Sequence, residues 1–398
     1  MTEKIYYKFI QFALGTYEGK EFLDGSALNG FDWQRFYDFA KKQTLEGIIM
    51  EGISRLPKAV APKQSLLMNW FMMSQNISRQ NMMLNAATAE IYNKVKAAGY
   101  DCCILKGQAN AAMYANPAAR TPGDVDMWVD ASREEIRQLA QTLAKENGRI
   151  DEESYNHIAL TTNNISVELH YTPGFMANFT YNRRLQQWFR ESIDTQCRNM
   201  IALPDETGEV AAPTADFNAV YQLYHLYHHY FYEGVGLRQV VDYYYVMWNV
   251  ECGVKNSSLD NSSSQAKPRT TQHSTFNIQH SLTRLGLWHF AGAMMYVLHE
   301  VLGLPEEKMI APMDKKRGEM LLNDILCGGN FGHHDERHAW GRDTYDGNGF
   351  KHGALGHNLL RLHRDLRLLK YYPSEALSEP IFRLWHYYWR WKMKKSKP

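Results

Sequence analysis

Gly123-Asp124-Val125-Asp126-Met127-Trp128-Val129 sets two carboxylates two residues apart in a run that alternates acidic and apolar side chains. On a β-strand such residues share a face, and a rise of about 3.3 Å per residue puts their Cα atoms roughly 6.6 Å apart. Carboxylates at that spacing can converge on one or two divalent cations; without a cation their repulsion raises one pKa and costs stability. Mg²⁺ chemistry needs such an acidic edge on a rigid base, because the ion takes carboxylate oxygens and keeps positions open for phosphate and water. Asp-x-Asp alone is common on solvated strands and turns. It gains weight from Ile165-Ser166-Val167-Glu168-Leu169-His170-Tyr171, where Val167 and Leu169 share one face and Ser166, Glu168 and His170 the other. Three carboxylates on neighbouring strands meet the requirement of a two-metal phosphoryl or nucleotidyl transfer site. Asp124 and Asp126 would bridge both cations, while Glu168 would complete the catalytic one and take a proton from an attacking hydroxyl.

Upstream, Ile104-Leu105-Lys106-Gly107-Gln108 reads as a strand that turns into a helix. Gly107 allows close backbone approach, the helix start offers free N–H groups, and Lys106 adds a point charge; together they favour a phosphate. Arg120 is placed either to contact that phosphate or to pair with the acidic cluster.

The elements that must hold these residues follow from periodicity. Cys102 to Leu105 is an apolar run of strand length, a short helix is expected over Gln108 to Tyr114, and Val125 to Val129 alternates as a half-buried strand. Ser132-Arg133-Glu134-Glu135 is a capping box opening a helix that ends before Gly148. Two β-rich runs, YNHIALTT and ISVELHY, are separated by Asn163-Asn164, a hairpin turn that tolerates positive φ. Before this unit, residues 1 to about 100 read as helical: Phe9, Phe12 and Ala13 are spaced i, i+3, i+4, and Gln64 to Gly99 has no Pro or internal Gly. After it, Phe217 to Trp248 reads as helix, 252–275 as an exposed loop rich in Ser, Asn and Lys, and about 277–303, 315–327 and 355–372 as further helices. A loop rich in Gly and His is expected over 328–353, and the basic tail WRWKMKKSKP reads as a solubilising end. The expected division is 1–83 helical, 84–205 α/β core, and 206–398 helical.

The chain has 398 residues, 44% hydrophobic and 22% charged, which excludes a disordered or fibrous protein. Lys plus Arg number 44 against 43 Asp plus Glu, so no global field draws nucleic acid or an anionic membrane. Five cysteines without zinc spacing or an even framework suit a reducing compartment. Lys8 and Gln11 interrupt the N-terminal apolar stretch, so no signal peptide is read, and no run of 18 apolar residues spans a membrane. A cytoplasmic location is expected.

Leu105-Lys106-Gly107, Tyr114, Pro117, Arg120 and Gly123-Asp124-Val125-Asp126 resemble, in order and spacing, a segment of the uncharacterised nucleotidyltransferase family of the DNA polymerase beta superfamily. The likeness continues in His157, Val167-Glu168-Leu169-His170, His225, His229, Gly236-Leu237-Arg238 and Asp242, covering roughly 100 to 245. The resemblance implies an α+β fold, a nucleotidyltransferase-type mixed β-sheet core with flanking helices between helical regions. It implies Asp124, Asp126 and Glu168 as the metal-binding triad for two Mg²⁺ (or Mn²⁺) ions, with an NTP as substrate. Lys106-Gly107-Gln108 replaces the superfamily's Gly-Ser, so no serine hydroxyl stands at the phosphate position. The expected activity is Mg²⁺-dependent transfer of a nucleoside monophosphate to an unidentified hydroxyl on a small molecule, protein or RNA. The alternative is a catalytically weak or inactive relative serving as a nucleotide-binding or protein-interaction module.

Other clusters carry less. His225 and His229 have the i, i+4 spacing of a zinc pair, but no third ligand has motif spacing, so they are read as cleft-lining together with His157 and His170. Arg238 and Asp242, also i, i+4, are most simply a helix ion pair, or by family position face the cleft. His333-His334-Asp335-Glu336-Arg337-His338 reads as a solvated loop. Cys102 and Cys103 read as core.

Overall fold

The computed structural model describes residues 2–145, 148–250, 270–332, 344–345, 350–351 and 354–395. The N-terminal region is helical, as its periodicity requires: α1 (Thr2–Leu14), α2 (Lys20–Leu23), α3 (Trp33–Gln43), α4 (Glu46–Ser54) and the 34-residue α5 (Gln64–Ala97). Phe9, Phe22, Phe36 and Trp70 fill the core between these helices. Gly99, at φ 92°, ends the long helix and turns the chain into the sheet.

Five strands form one mixed sheet: β1 (Cys102–Ile104), β2 (Val125–Val129), β3 (Gly148–Glu153), β4 (His157–Thr162) and β5 (Ile165–His170), in the order β1-β2-β5-β4-β3. β2 and β5 run parallel, with Asp126 opposite Glu168; the other neighbours are antiparallel. Asn163 and Asn164 both take positive φ (49° and 62°), the two-residue turn whose twist matches a hairpin. α6 (Gln108–Ala111) is one turn, shorter than the expected Gln108 to Tyr114 helix. α7 (Arg133–Ala144) carries the expected capping box and covers β3 and β4, followed by α8 (Phe179–Gln196).

The structure differs from the periodicity reading at several places. β2 is buried along its whole length, because Trp128 on the acidic face packs against Phe189 and Phe217. β3 was not expected: its residues are GRIDEE, an exposed edge strand whose charge hides any hydrophobic alternation. The stretch 217–248 divides into α9 (Ala215–Tyr232) and α10 (Leu237–Asn249). Gly234, at φ 150°, makes that break; a Cβ there would lie 2.7 Å from the Gly332 backbone. The helix expected over 277–303 is two, α11 (Thr270–Arg284) and α12 (Trp288–Leu302), so 270–275 are helical rather than loop. The rest of the 252–275 loop, the His333–His338 cluster and most of 328–353 lie outside the described residues.

α13 (Lys315–Gly328) and α14 (Ala354–Leu368) match expectation closely. α15 (Pro373–Lys395) takes up most of the basic tail. That tail is more than solubilising: Trp389 packs on Tyr155 and lies under the Arg133 guanidinium. One hydrophobic cluster runs from Tyr6 to Ala376 through all three regions. Among the described residues, no helix is long and apolar enough to cross a membrane.

Candidate active site

A cleft of about 580 Å³ opens between the sheet and helices α9 and α10. Lys106, Gly107, Arg120, Asp124, Asp126, His157, Glu168, His170, His225, His229, Arg238 and Asp242 all line it, so the acidic, phosphate-binding and cleft-lining candidates meet in one place.

The sheet supplies the acids. Asp124 lies just before β2 and Asp126 within it, and the parallel register sets Glu168 beside Asp126. One carboxylate oxygen from each of the three lies within 4.8 Å of the others. Hard oxygens so gathered are the donor set that Mg²⁺ takes. Gly107 holds the floor: at φ 60°, a Cβ there would stand 3.0 Å from the Asp124 carbonyl oxygen.

Positive charge at the triad comes from side chains. Lys106 Nζ is 3.1 Å from Asp126 Oδ2, and His170 Nε2 is 3.2 Å from both Asp126 Oδ1 and Glu168 Oε2. Burial opposes ionising Asp126, yet Lys106 and His170 outweigh it and hold its carboxyl below the usual range. Burial likewise opposes ionising Glu168, and hydrogen bonding to His170 overcomes it to bring the group down to about 2. Burial would lower His170, but hydrogen bonds to the two carboxylates raise it to about 9. His157, with Nε2 3.5 Å from Glu168, is pushed by burial and the neighbouring His170 charge down to about 4 and stays neutral. Lys106, expected at a phosphate, is thus engaged by Asp126 and His225.

His225 Nε2 lies 2.9 Å from Lys106 Nζ and 2.8 Å from His229 Nε2. One imidazole lone pair serves one donor at a time, so the two neighbours compete. His229 Nδ1 meets Glu233 Oε2 at 2.8 Å. The 2.8 Å between ring nitrogens is a hydrogen bond, shorter than two nitrogens at about 2.0–2.1 Å from one tetrahedral zinc would allow. Glu233 escaped the sequence reading, although its i, i+4 spacing from His229 was visible.

The helical wall corrects the reading of Arg120, Arg238 and Asp242. Asp242 pairs with Arg120, through Nε at 2.8 Å and Nη2 at 2.9 Å, and accepts from the Tyr114 hydroxyl at 2.5 Å. Arg120 therefore serves neither Asp124 nor Asp126. Arg238, its expected helix partner being taken, donates from Nη1 to the Thr121 carbonyl at 3.1 Å. Arg120 Nη1 and Arg238 Nε are buried without a hydrogen-bond partner, donors that an anion in the cleft would satisfy.

A family model described as an uncharacterised nucleotidyltransferase matches residues 29–267. No curated protein and no solved structure matches the chain. The matched segment contains the acidic strands, the turn at Gly107 and both cleft helices, and α14 and α15 fall beyond it. With three carboxylates converging where its sheet meets those helices, this chain belongs to the uncharacterised nucleotidyltransferase family.

Proposed function

We propose that the protein transfers a nucleoside monophosphate from an NTP to a hydroxyl acceptor in a reaction that requires divalent cations. The observation that carries this is the convergence of Asp124, Asp126 and Glu168 beside unpartnered guanidinium donors. Asp124 and Asp126 would hold two Mg²⁺ ions, with Glu168 completing the site nearer the attacking oxygen. When bound, the ions supply Lewis-acid stabilisation of the charge that develops on the transferring and leaving phosphates.

The remaining steps belong to the chain. Arg238 and Arg120 offer N–H donors to the triphosphate, and Gly107 lets its backbone approach. Lys106 neutralises Asp126 in the resting protein and can turn to a phosphate oxygen once the triad's charge is satisfied otherwise. Glu168 accepts the proton of the attacking hydroxyl, and His157 beside it is neutral and able to receive that proton in turn.

The test is NTP binding by thermal shift and calorimetry with and without Mg²⁺, coupled to pyrophosphate release in an extract supplying acceptors. Tighter NTP binding with Mg²⁺, lost in Asp126→Asn, is expected. Mg²⁺-indifferent binding would sink the metal reading.

One observation favours a second reading. Lys106 and His170 already neutralise the acids, so a module that binds a nucleotide without metal or turnover is consistent with the same cleft. It predicts equal NTP affinity in EDTA and in Mg²⁺.

A further inference from the structure

A second cavity, about 340 Å³, adjoins the first. The two share Asn156, His157, Phe175, His228 and Glu233, so His157 stands where they adjoin, 3.5 Å from Glu168. The far wall is built by α14 and α15, beyond the segment that matches the family. A cavity that shares His157 with the cleft, next to the proposed base Glu168, and is walled by residues outside the matched segment is where an acceptor would be chosen.

Its lining states what that acceptor carries. Arg361, Arg383 and Arg390 face it from the far wall. Arg383 is engaged by Asp365 and Glu379, while Arg361 meets Glu379 only at 3.8 Å and lies 5.1 Å over the Tyr232 ring. Arg390 reaches Glu152 at 3.6 Å on the exposed rim. Glu379 and Glu233 line the same cavity, and burial with the adjacent Glu379 pushes Asp365, behind Arg383, up to about 8. Arg361 Nε, His386 Nε2 and the Tyr232 hydroxyl are buried without a hydrogen-bond partner. Flat faces complete the wall: Phe382 stacks with His386 at 5.7 Å and with Phe175 at 5.0 Å. Cationic donors at the far end and stacked rings along the side fit a ligand with a phosphate at one end and a ring in the middle.

We propose that this cavity is the acceptor subsite, and that it takes a phosphate monoester carrying a ring and a free hydroxyl. This rests on the nucleotidyl-transfer reading above. The phosphate sits among the arginines and the hydroxyl points past His157 to the triad. That hydroxyl oxygen bonds to the α-phosphorus of the NTP while the bond from the α-phosphorus to the β-bridging oxygen breaks. Pyrophosphate leaves with the electron pair of that bond, and the hydroxyl proton passes to Glu168. Nucleoside monophosphates and sugar phosphates share this chemistry.

The test titrates full-length protein with AMP, glucose 6-phosphate and inorganic phosphate by calorimetry. Each titration is run with and without saturating Mg²⁺ and α,β-methylene-ATP, which cannot transfer its nucleotidyl group. A monoester is expected to bind while the analogue is bound. Arg361→Gln and the rim variant Arg390→Ala should weaken it about 10-fold or more, with analogue affinity unchanged. Preference for AMP would assign a nucleotide and preference for glucose 6-phosphate a sugar, either result supporting the subsite. Competition between monoester and analogue, monoesters binding no tighter than inorganic phosphate, or indifference to both arginine variants would overturn it. If wild type ignores the analogue but binds a monoester through Arg361, the transfer reading falls and the binding site stands.

Discussion

Arg120 and Lys106 each meet a buried aspartate in the same cleft, but the two pairs are built differently. The Arg120–Asp242 pair is bidentate, reinforced by Tyr114, and links α10 to the loop before β2. Lys106 offers Asp126 one contact and shares its ammonium with His225, which His229 also approaches. A planar fork held by two parallel bonds stays in place, whereas a point charge on a flexible stem can leave when a stronger cation arrives. The first pair fixes the wall of the cleft, and the second is exchangeable. Glu375 supplies a third case, a buried carboxylate held by the backbone N–H groups of Ala177 and Asn178, with burial pushing it up to about 7.

The largest effect is expected from breaking the fixed pair. Arg120→Ala leaves Asp242 buried without its ion-pair partner, and a loss of about 3–5 kcal/mol is expected in chemical denaturation. A loss below about 1 kcal/mol would make this pair as dispensable as a surface one. Next comes Asp126→Asn, which should reduce Mg²⁺-dependent pyrophosphate release by about 100-fold or more while the protein stays folded. Retained turnover would remove Asp126 from the chemistry.

Glu375 tests burial without a cation. Its folded pKa lies above the ordinary 4.5, so the folded state holds a proton that the unfolded chain has released. Stability should fall as pH rises from about 4.5 to about 7 and level off above, by roughly 2–3 kcal/mol. Melting curves at pH 5 and pH 8 should show the drop in wild type and a smaller one in Glu375→Gln; equal drops would mean the group titrates normally. The smallest effect sharpens the exchangeable pair. Lys106→Met removes the competitor for Asp126, and Mg²⁺ affinity without nucleotide should rise about 10-fold. An unchanged or weaker affinity would show that the lysine does not occupy the cation's place.

Much of this cleft was legible in the sequence because strands announce their faces. Alternation at 124–129 and 165–171 separated acids from core residues, and Asn163-Asn164 marked the hairpin. The partners were not legible. Arg120 and Asp242 meet across 122 positions, and nothing local tells that Arg120 rather than Arg238 wins the aspartate. Lys106 was read as a phosphate ligand because its charge was visible and its direction was not. β3 was hidden by the charges that protect a sheet edge, and the second cavity by its assembly from strand, helix and C-terminal residues more than 200 positions apart.

The Asn163-Asn164 turn has a reach its size conceals. Because β5 enters the sheet through this hairpin and only then lies along β2, two asparagines far from any reacting atom count off the position of Glu168. A strand displaced by a single residue presents its opposite face. A one-residue slip of β5 from that turn would therefore swing the acid into the oily interior and bring Leu169 or Val167 to the cleft side, disarming the protein without touching a functional group.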